Sequence, residues 1–226
     1  MSATGAGPAP VRDRRPMRTR LLALCLLWLL PLAAFAQAPP EGMGVYWIPI
    51  QDGQRWREEP GTIEVVEVFA YSCGHCDQFQ PLLAAWKRKA GKDVRLHYVP
   101  AIWSPQDAYA RAHFALEELG RVAELHPRLF DAIHREGSLP ARDASQQEMV
   151  SFLAGEGLDA GLVRTAMTSP ATDAKMNAAR DFMVRGGIRA TPTLIINGKY
   201  RVQGPTLQDT LRIADALVAM ERAVPR

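Results

Sequence analysis

Cysteine is scarce: three in 226 residues. Cys25 sits in an apolar N-terminal run, so a chain that loses that run keeps only Cys73 and Cys76. Two cysteines three positions apart cannot form the framework of crossing disulfides that holds small exported proteins together. A structural zinc site as a rule needs four ligands, and no second Cys-x-x-Cys exists to complete one. A c-type haem site needs histidine directly after the second cysteine, where Asp77 stands. Strong net charge is also missing. Residues 37–226 carry 22 basic and 23 acidic side chains, a net charge of −1, which gives no basis for nucleic-acid binding. There is no internal repeat and no low-complexity block.

The longest apolar run, Leu21 to Phe35, has 15 residues and is interrupted by Pro31, short of the roughly 20 a spanning helix needs. Five arginines (Arg12, Arg14, Arg15, Arg18, Arg20) precede it, and Ala34-Phe35-Ala36 follows as a small-x-small cleavage site. Residues 1–36 therefore read as a secretory signal peptide. An uncleaved anchor is the alternative. Met17 to Ala36 alone makes a compact signal. Arg14-Arg15 matches a twin-arginine signal poorly, and Leu24 is too bulky for a lipid anchor on Cys25.

Two cysteines without partners elsewhere point to function, and their setting supports this. Ile63 to Tyr71 is apolar on both faces and reads as an interior strand. It breaks at Ser72 and delivers Cys73-Gly74-His75-Cys76 to a helix start, with Phe79, Leu83 and Trp86 at helical spacing behind and a kink expected at Pro81. A thiolate at a helix N-terminus is stabilised by unpaired N–H groups and the helix dipole. A dithiol with two intervening residues can close and open as a small disulfide ring. Val94 to Val99 reads as a second strand, parallel to the first.

A helical stretch follows. Ser104-Pro105 with Asp107 predicts a helix start, Pro127 another, and Ser145 with Glu148 a capping box. Asp159 to Met167 and Ala171 to Arg185 read as further helices, the second closed by Gly186-Gly187. His113, His126 and His134 have no ligand spacing and are expected on solvated faces, with Arg128 and Arg135 on a wet face. Trp103 is expected at an active-site rim or in the core. Ala190-Thr191-Pro192-Thr193-Leu194-Ile195-Ile196, then Asn197-Gly198, then Lys199 to Val202 form a type I′ hairpin pattern, and Leu207 to Val218 a last helix. Val45 to Ile50 reads as an edge strand.

The cysteine motif at a strand–helix junction, the helical block, and Thr191-Pro192 about 115 residues on resemble the DsbA family of bacterial periplasmic thiol:disulfide interchange proteins. The likeness covers residues 42–224. It implies an α/β thioredoxin fold with a helical insertion: signal peptide 1–36, thioredoxin parts at 37–100 and 171–226, insertion at 101–170. It implies that Cys73 is the nucleophile, Cys76 the resolving cysteine, and His75 a nearby positive charge that stabilises the reduced form. It implies that Thr191-Pro192 is a cis-proline loop holding extended substrate. Glu67, six residues before Cys73, falls where the family has a buried acid, implied to accept the Cys76 proton. Arg95 or His97 is the expected charge partner. Thr191 departs from the apolar residue common in the family, and Gly74 from the common proline.

The implied activity is donation of the Cys73–Cys76 disulfide to exported proteins with free cysteines in the periplasm, with reoxidation by a DsbB-like membrane quinone reductase. No bound cofactor or metal is expected, and the chain is expected to be a monomer. The alternatives are an exported isomerase or reductase, or a non-catalytic binder of unfolded chains. Isomerases of this compartment dimerise through an extra N-terminal domain, and only about 25 residues separate the cleavage site from the first core strand.

Overall fold

The computed structural model describes residues 46–224 together with Gly5 and Gly7; apart from those two glycines the expected signal peptide lies outside the described residues. The elements run β1 (Trp47–Pro49), β2 (Ile63–Phe69), α1 (Gly74–Lys89), β3 (Val94–Pro100), α2 (Ala108–Glu118), α3 (Val122–His134), α4 (Gln146–Gly155), α5 (Ala160–Met167), α6 (Pro170–Arg185), β4 (Thr193–Ile196), β5 (Tyr200–Val202) and α7 (Leu207–Ala223). The sheet order is β1-β5-β4-β2-β3. β2 and β3 are parallel across the α1 crossover, and the other pairings are antiparallel.

β2 has strand neighbours on both sides, and all seven of its residues are buried. Ile63 and Val65 pack against Phe79 and Leu83 of α1 and Ile213 and Leu217 of α7. Val66 and Val68 turn to the opposite face, against Phe114 of α2 and Phe182 and Met183 of α6. A third core joins α2, α3, α4 and α5, and Phe69 and Tyr71 reach into it from the end of β2. The Cys73–Cys76 turn therefore lies where the sheet and helical cores meet.

The hairpin has the expected chirality: Asn197 and Gly198 both have positive φ, 49° and 69°. A Cβ at Gly198 would run into the backbone of Gln54 and Arg55. Asn197 also works through its side chain, accepting from the Glu64 backbone N–H at 2.7 Å and donating to Glu221 at 2.6 Å. The Ser145–Glu148 capping box is present.

Several local expectations are corrected. α2 begins at Ala108, capped by the Asp107 carboxylate, which accepts from the N–H groups of Tyr109 and Ala110. α3 begins one and a half turns before Pro127 and accommodates that proline; Pro81 likewise lies inside α1 without ending it. Trp103 is 58% exposed and is not a core residue. The largest correction concerns the histidines: His113 is fully buried, His126 nearly so, and His134 half-buried.

Candidate active site

Cys73 is the N-cap of α1, with extended backbone (φ −90°, ψ 110°), and its sulfur accepts from the Cys76 backbone N–H at 3.3 Å. The cap position places the sulfur over the unpaired N–H groups of the first turn. Cys73 is half-buried and Cys76 wholly buried, and both are free thiols here. The Cys73 thiol donates to the Thr191 carbonyl at 3.4 Å, and the Thr191–Pro192 bond is cis. The two parts of the chain that carry the motifs thus meet at one sulfur. A cleft beside it is lined by His75, Leu82, Thr191, Pro192 and the 203–207 loop.

The two thiols are driven apart in acidity. The Cys73 pKa falls to about 5: the Cys76 side chain donates to its thiolate, and the Thr191 side chain and the Cys76 and His75 N–H groups add to this against the cost of burial. Burial pushes the Cys76 thiol far up, reinforced by its hydrogen bond to Cys73 and the nearby Glu67 carboxyl. Near neutral pH the dithiol is one thiolate and one thiol, the distribution thiol–disulfide exchange uses. His75 is exposed on the first turn, and its backbone N–H is its contribution to the sulfur's acidity.

Glu67 is fully buried on the sheet face covered by α1. Burial lifts its pKa to about 8, lowered in part by Gln80 and raised by the Cys73 charge. Gln80 Nε2 lies 3.0 Å from Glu67 Oε2, and Oε1 has no hydrogen-bond partner. Neither Arg95 nor His97 is its charge partner. In the parallel register Glu67 stands beside Tyr98, while Arg95 and His97 align with Glu64 and Val66, whose side chains point to the other face. Both go to Glu59 instead, at 3.0 and 3.6 Å.

Gln80 was not singled out by the sequence. The signal for it was spacing: it falls one turn after Cys76 on the helix that follows the motif. Its Oε1 lies 3.0 Å from His126 Nε2 on α3, and His126 Nδ1 lies 2.9 Å from the Tyr71 hydroxyl. His134 Nε2 meets the Tyr71 carbonyl at 2.7 Å. The histidines expected in solvent thus surround the strand that leads into the cysteine turn. Among the described residues no cluster of three or more His, Cys, Asp or Glu could hold a metal ion, and no helix is long and apolar enough to cross a membrane.

Known proteins place this site in a family. A family model described as thioredoxin matches residues 58–216. The thiol:disulfide interchange protein DsbA of Azotobacter vinelandii is 36% identical over 171 residues, covering 73% of this chain and 78% of that protein. That of Pseudomonas aeruginosa PAO1 is 34% identical over 174 residues, covering 74% and 80%. The crystal structure of Xylella fastidiosa DsbA aligns at a TM-score of 0.76 and 38% identity, over 79% of this chain and 96% of that one. The thioredoxin fold with a helical insertion, the cysteine pair at its strand–helix turn and these relatives lead to one conclusion: the chain belongs to the DsbA family and is a thiol:disulfide oxidoreductase.

Proposed function

We propose that the protein is a periplasmic dithiol oxidase that donates its Cys73–Cys76 disulfide to exported proteins carrying free cysteines. The carrying observation is the separation of the two thiols: an acidic, half-exposed sulfur at the helix cap and a buried one that holds its proton. A substrate thiolate attacks Cys73 Sγ, the S–S bond breaks, and Cys76 leaves with the electron pair. Glu67 gives it a proton. A second substrate thiolate attacks the substrate sulfur of the mixed disulfide, and Cys73 leaves as a stabilised thiolate. Substrate is oxidised by two electrons and the enzyme reduced by two.

In this reading the cleft beside Thr191 and Pro192 takes extended substrate backbone, and His75 supplies positive character near the sulfur when protonated. Residues 37–100 and 171–226 carry the thioredoxin parts and 101–170 the insertion. Reoxidation falls to a membrane partner of the DsbB type, which returns the electrons to quinone. The cysteine pair is itself the redox group. Stabilising the Cys73 thiolate stabilises the reduced enzyme, and each roughly 1.4 kcal/mol of such stabilisation raises a two-electron potential by about 30 mV. This favours an oxidase over an exported isomerase or reductase.

Incubation of the oxidised protein, without residues 1–36, with an unfolded peptide bearing two thiols tests the reading. Stoichiometric oxidation of the peptide by mass spectrometry is expected, with none from Cys73→Ser or Cys76→Ala, neither of which can hold the disulfide that is donated. No oxidation by the unaltered protein, with peptide binding undiminished in Cys73→Ser, points instead to a non-catalytic binder.

A further inference from the structure

The buried polar groups next to Glu67 form one continuous line. Glu67 Oε2 meets Gln80 at 3.0 Å; Gln80 meets His126 Nε2 at 3.0 Å; His126 Nδ1 meets the Tyr71 hydroxyl at 2.9 Å. The hydroxyl meets His113 Nδ1 at 3.3 Å, and His113 Nε2 meets the Tyr98 carbonyl at 3.2 Å. The line starts under the cysteine pair, passes through the helical block and ends on the β3 backbone.

Its far end is fixed. A backbone carbonyl can only accept, so His113 Nε2 carries hydrogen. Burial holds His113 neutral, its pKa near 4, so His113 Nδ1 is an acceptor. Burial likewise holds His126 neutral. The Tyr71 hydroxyl has one hydrogen and faces two imidazole nitrogens. It can donate to both only in turn.

Two arrangements follow, because a Gln amide can turn by 180° within the same heavy-atom positions and a neutral imidazole has two tautomers. With Glu67 protonated, its O–H donates to the Gln80 oxygen and the Gln80 NH₂ to His126 Nε2. His126 Nδ1–H donates to the Tyr71 oxygen, Tyr71 O–H to His113 Nδ1, and His113 Nε2–H to the Tyr98 carbonyl. All five links are made. With Glu67 ionised, Gln80, His126 and Tyr71 all reverse. The Tyr71 hydroxyl then donates to His126, and the lone pairs of Tyr71 and His113 Nδ1 face each other with no hydrogen between. One link is lost, and a buried unsatisfied acceptor is costly.

We propose that Gln80, His126, Tyr71 and His113 form a polarised hydrogen-bond wire that holds a proton on Glu67 until the Cys73–Cys76 disulfide is opened. This rests on the oxidase reading above. When Cys76 leaves as a thiolate, the Glu67 O–H bond breaks and a Cys76 S–H bond forms, the sulfur's lone pair taking the proton. The wire then reverses, and the strained Tyr71–His113 link favours return of a proton from water. His126 and Gln80 line a cleft between α1 and α3, and His113 borders a second one beside Arg57 and Glu117. The four wire residues are positioning residues: none touches the reacting sulfurs.

The ionisable groups around the wire are few. Glu67 faces Cys73 and Cys76 from the α1 turn and Tyr98 from β3, while its β4 neighbour is Leu194. His113 feels Glu117 on its own helix, Lys175 from α6 and Arg57 from the loop before β2.

The test is a ¹³C NMR titration of the Glu67 carboxyl in the oxidised protein. His113→Phe is the informative variant, since it keeps an aromatic ring, leaves the side chains that face Glu67 unchanged, and removes the last acceptor together with the N–H that meets the Tyr98 carbonyl. The wire predicts that Glu67 binds its proton about tenfold more weakly in His113→Phe and in Tyr71→Phe. The two changes combined should do no more than either alone. A shift in Tyr71→Phe alone, or in neither, overturns the wire. The titration does not require turnover, so an unchanged Glu67 in an active oxidase counts against the wire, and an inactive protein with a shifted Glu67 counts against the oxidase.

Discussion

The backbone N–H of Cys76 points at the Cys73 sulfur from 3.3 Å, so the buried cysteine contributes to the acidity of the exposed one. It does so twice, since its thiol is also the strongest hydrogen-bond donor to the Cys73 thiolate.

The first consequence is an asymmetric titration. Cys73 should ionise near pH 5 and Cys76 should remain a thiol throughout the accessible range, so thiolate absorbance in the reduced protein rises in one step of one thiol. The folded pKa lies below the unfolded value of 9.0, so the stabilisation it brings is complete above pH 9, partial at pH 7, and lost as pH falls through about 5. The reduced protein should therefore melt above the oxidised one at pH 7, with the gap closing toward pH 4.

Thr191 tunes that sulfur. Its side chain favours the Cys73 thiolate while its backbone carbonyl accepts from the thiol. Thr191→Val keeps the shape and removes the hydroxyl. It should raise the Cys73 pKa by about one unit and make the disulfide correspondingly less oxidising, measured by thiolate absorbance and by redox equilibration.

Much of this site could be read before any coordinates. Cys73 and Cys76 stood out because no other cysteines competed for them, Glu67 because a charge in an apolar strand demands a reason, and Asn197-Gly198 because few turns accept positive φ twice. The histidines could not be read the same way. Helical periodicity assigns one face to the core, but α2 is buried on nearly all sides: Ala108, Ala110, Ala112 and Ala115 let neighbours approach closely, and His113 is enclosed among them. The alanines were the available signal. Gln80 offered only its place one turn after Cys76. Its importance comes from standing between Glu67 and His126, residues from a strand and from a helix 46 positions away, and no local pattern encodes that.

Glu67 should carry a stability cost that rises with pH. Its folded pKa of about 8 exceeds its reference value of 4.5, so the folded state binds the proton more tightly. Stability is then greatest below pH 4.5 and falls steadily up to about pH 8. Glu67→Gln should gain about 3 kcal/mol in urea unfolding at pH 7 and almost nothing at pH 4. It should also slow disulfide transfer, since Cys76 loses its proton donor.

Removing Glu64 should instead destabilise the fold, although burial raises its pKa as it raises that of Glu67. Its buried carboxylate accepts from the backbone N–H groups of Trp56 and Arg57 at 2.8 and 2.6 Å, anchoring the loop before β2. Glu64→Ala leaves both donors without a partner and should cost about 2–4 kcal/mol in urea unfolding, with the cysteine chemistry unchanged.

The central claim is that the Cys73–Cys76 disulfide is poised to be given away. Equilibration with glutathione buffers of known potential, followed by alkylation and mass measurement of the thiols, tests it directly. Characterised DsbA lies near −120 mV, protein disulfide isomerase near −180 mV and thioredoxin near −270 mV. The account predicts a potential more oxidising than about −180 mV; a value near −270 mV would contradict it and make the reduced pair the working form.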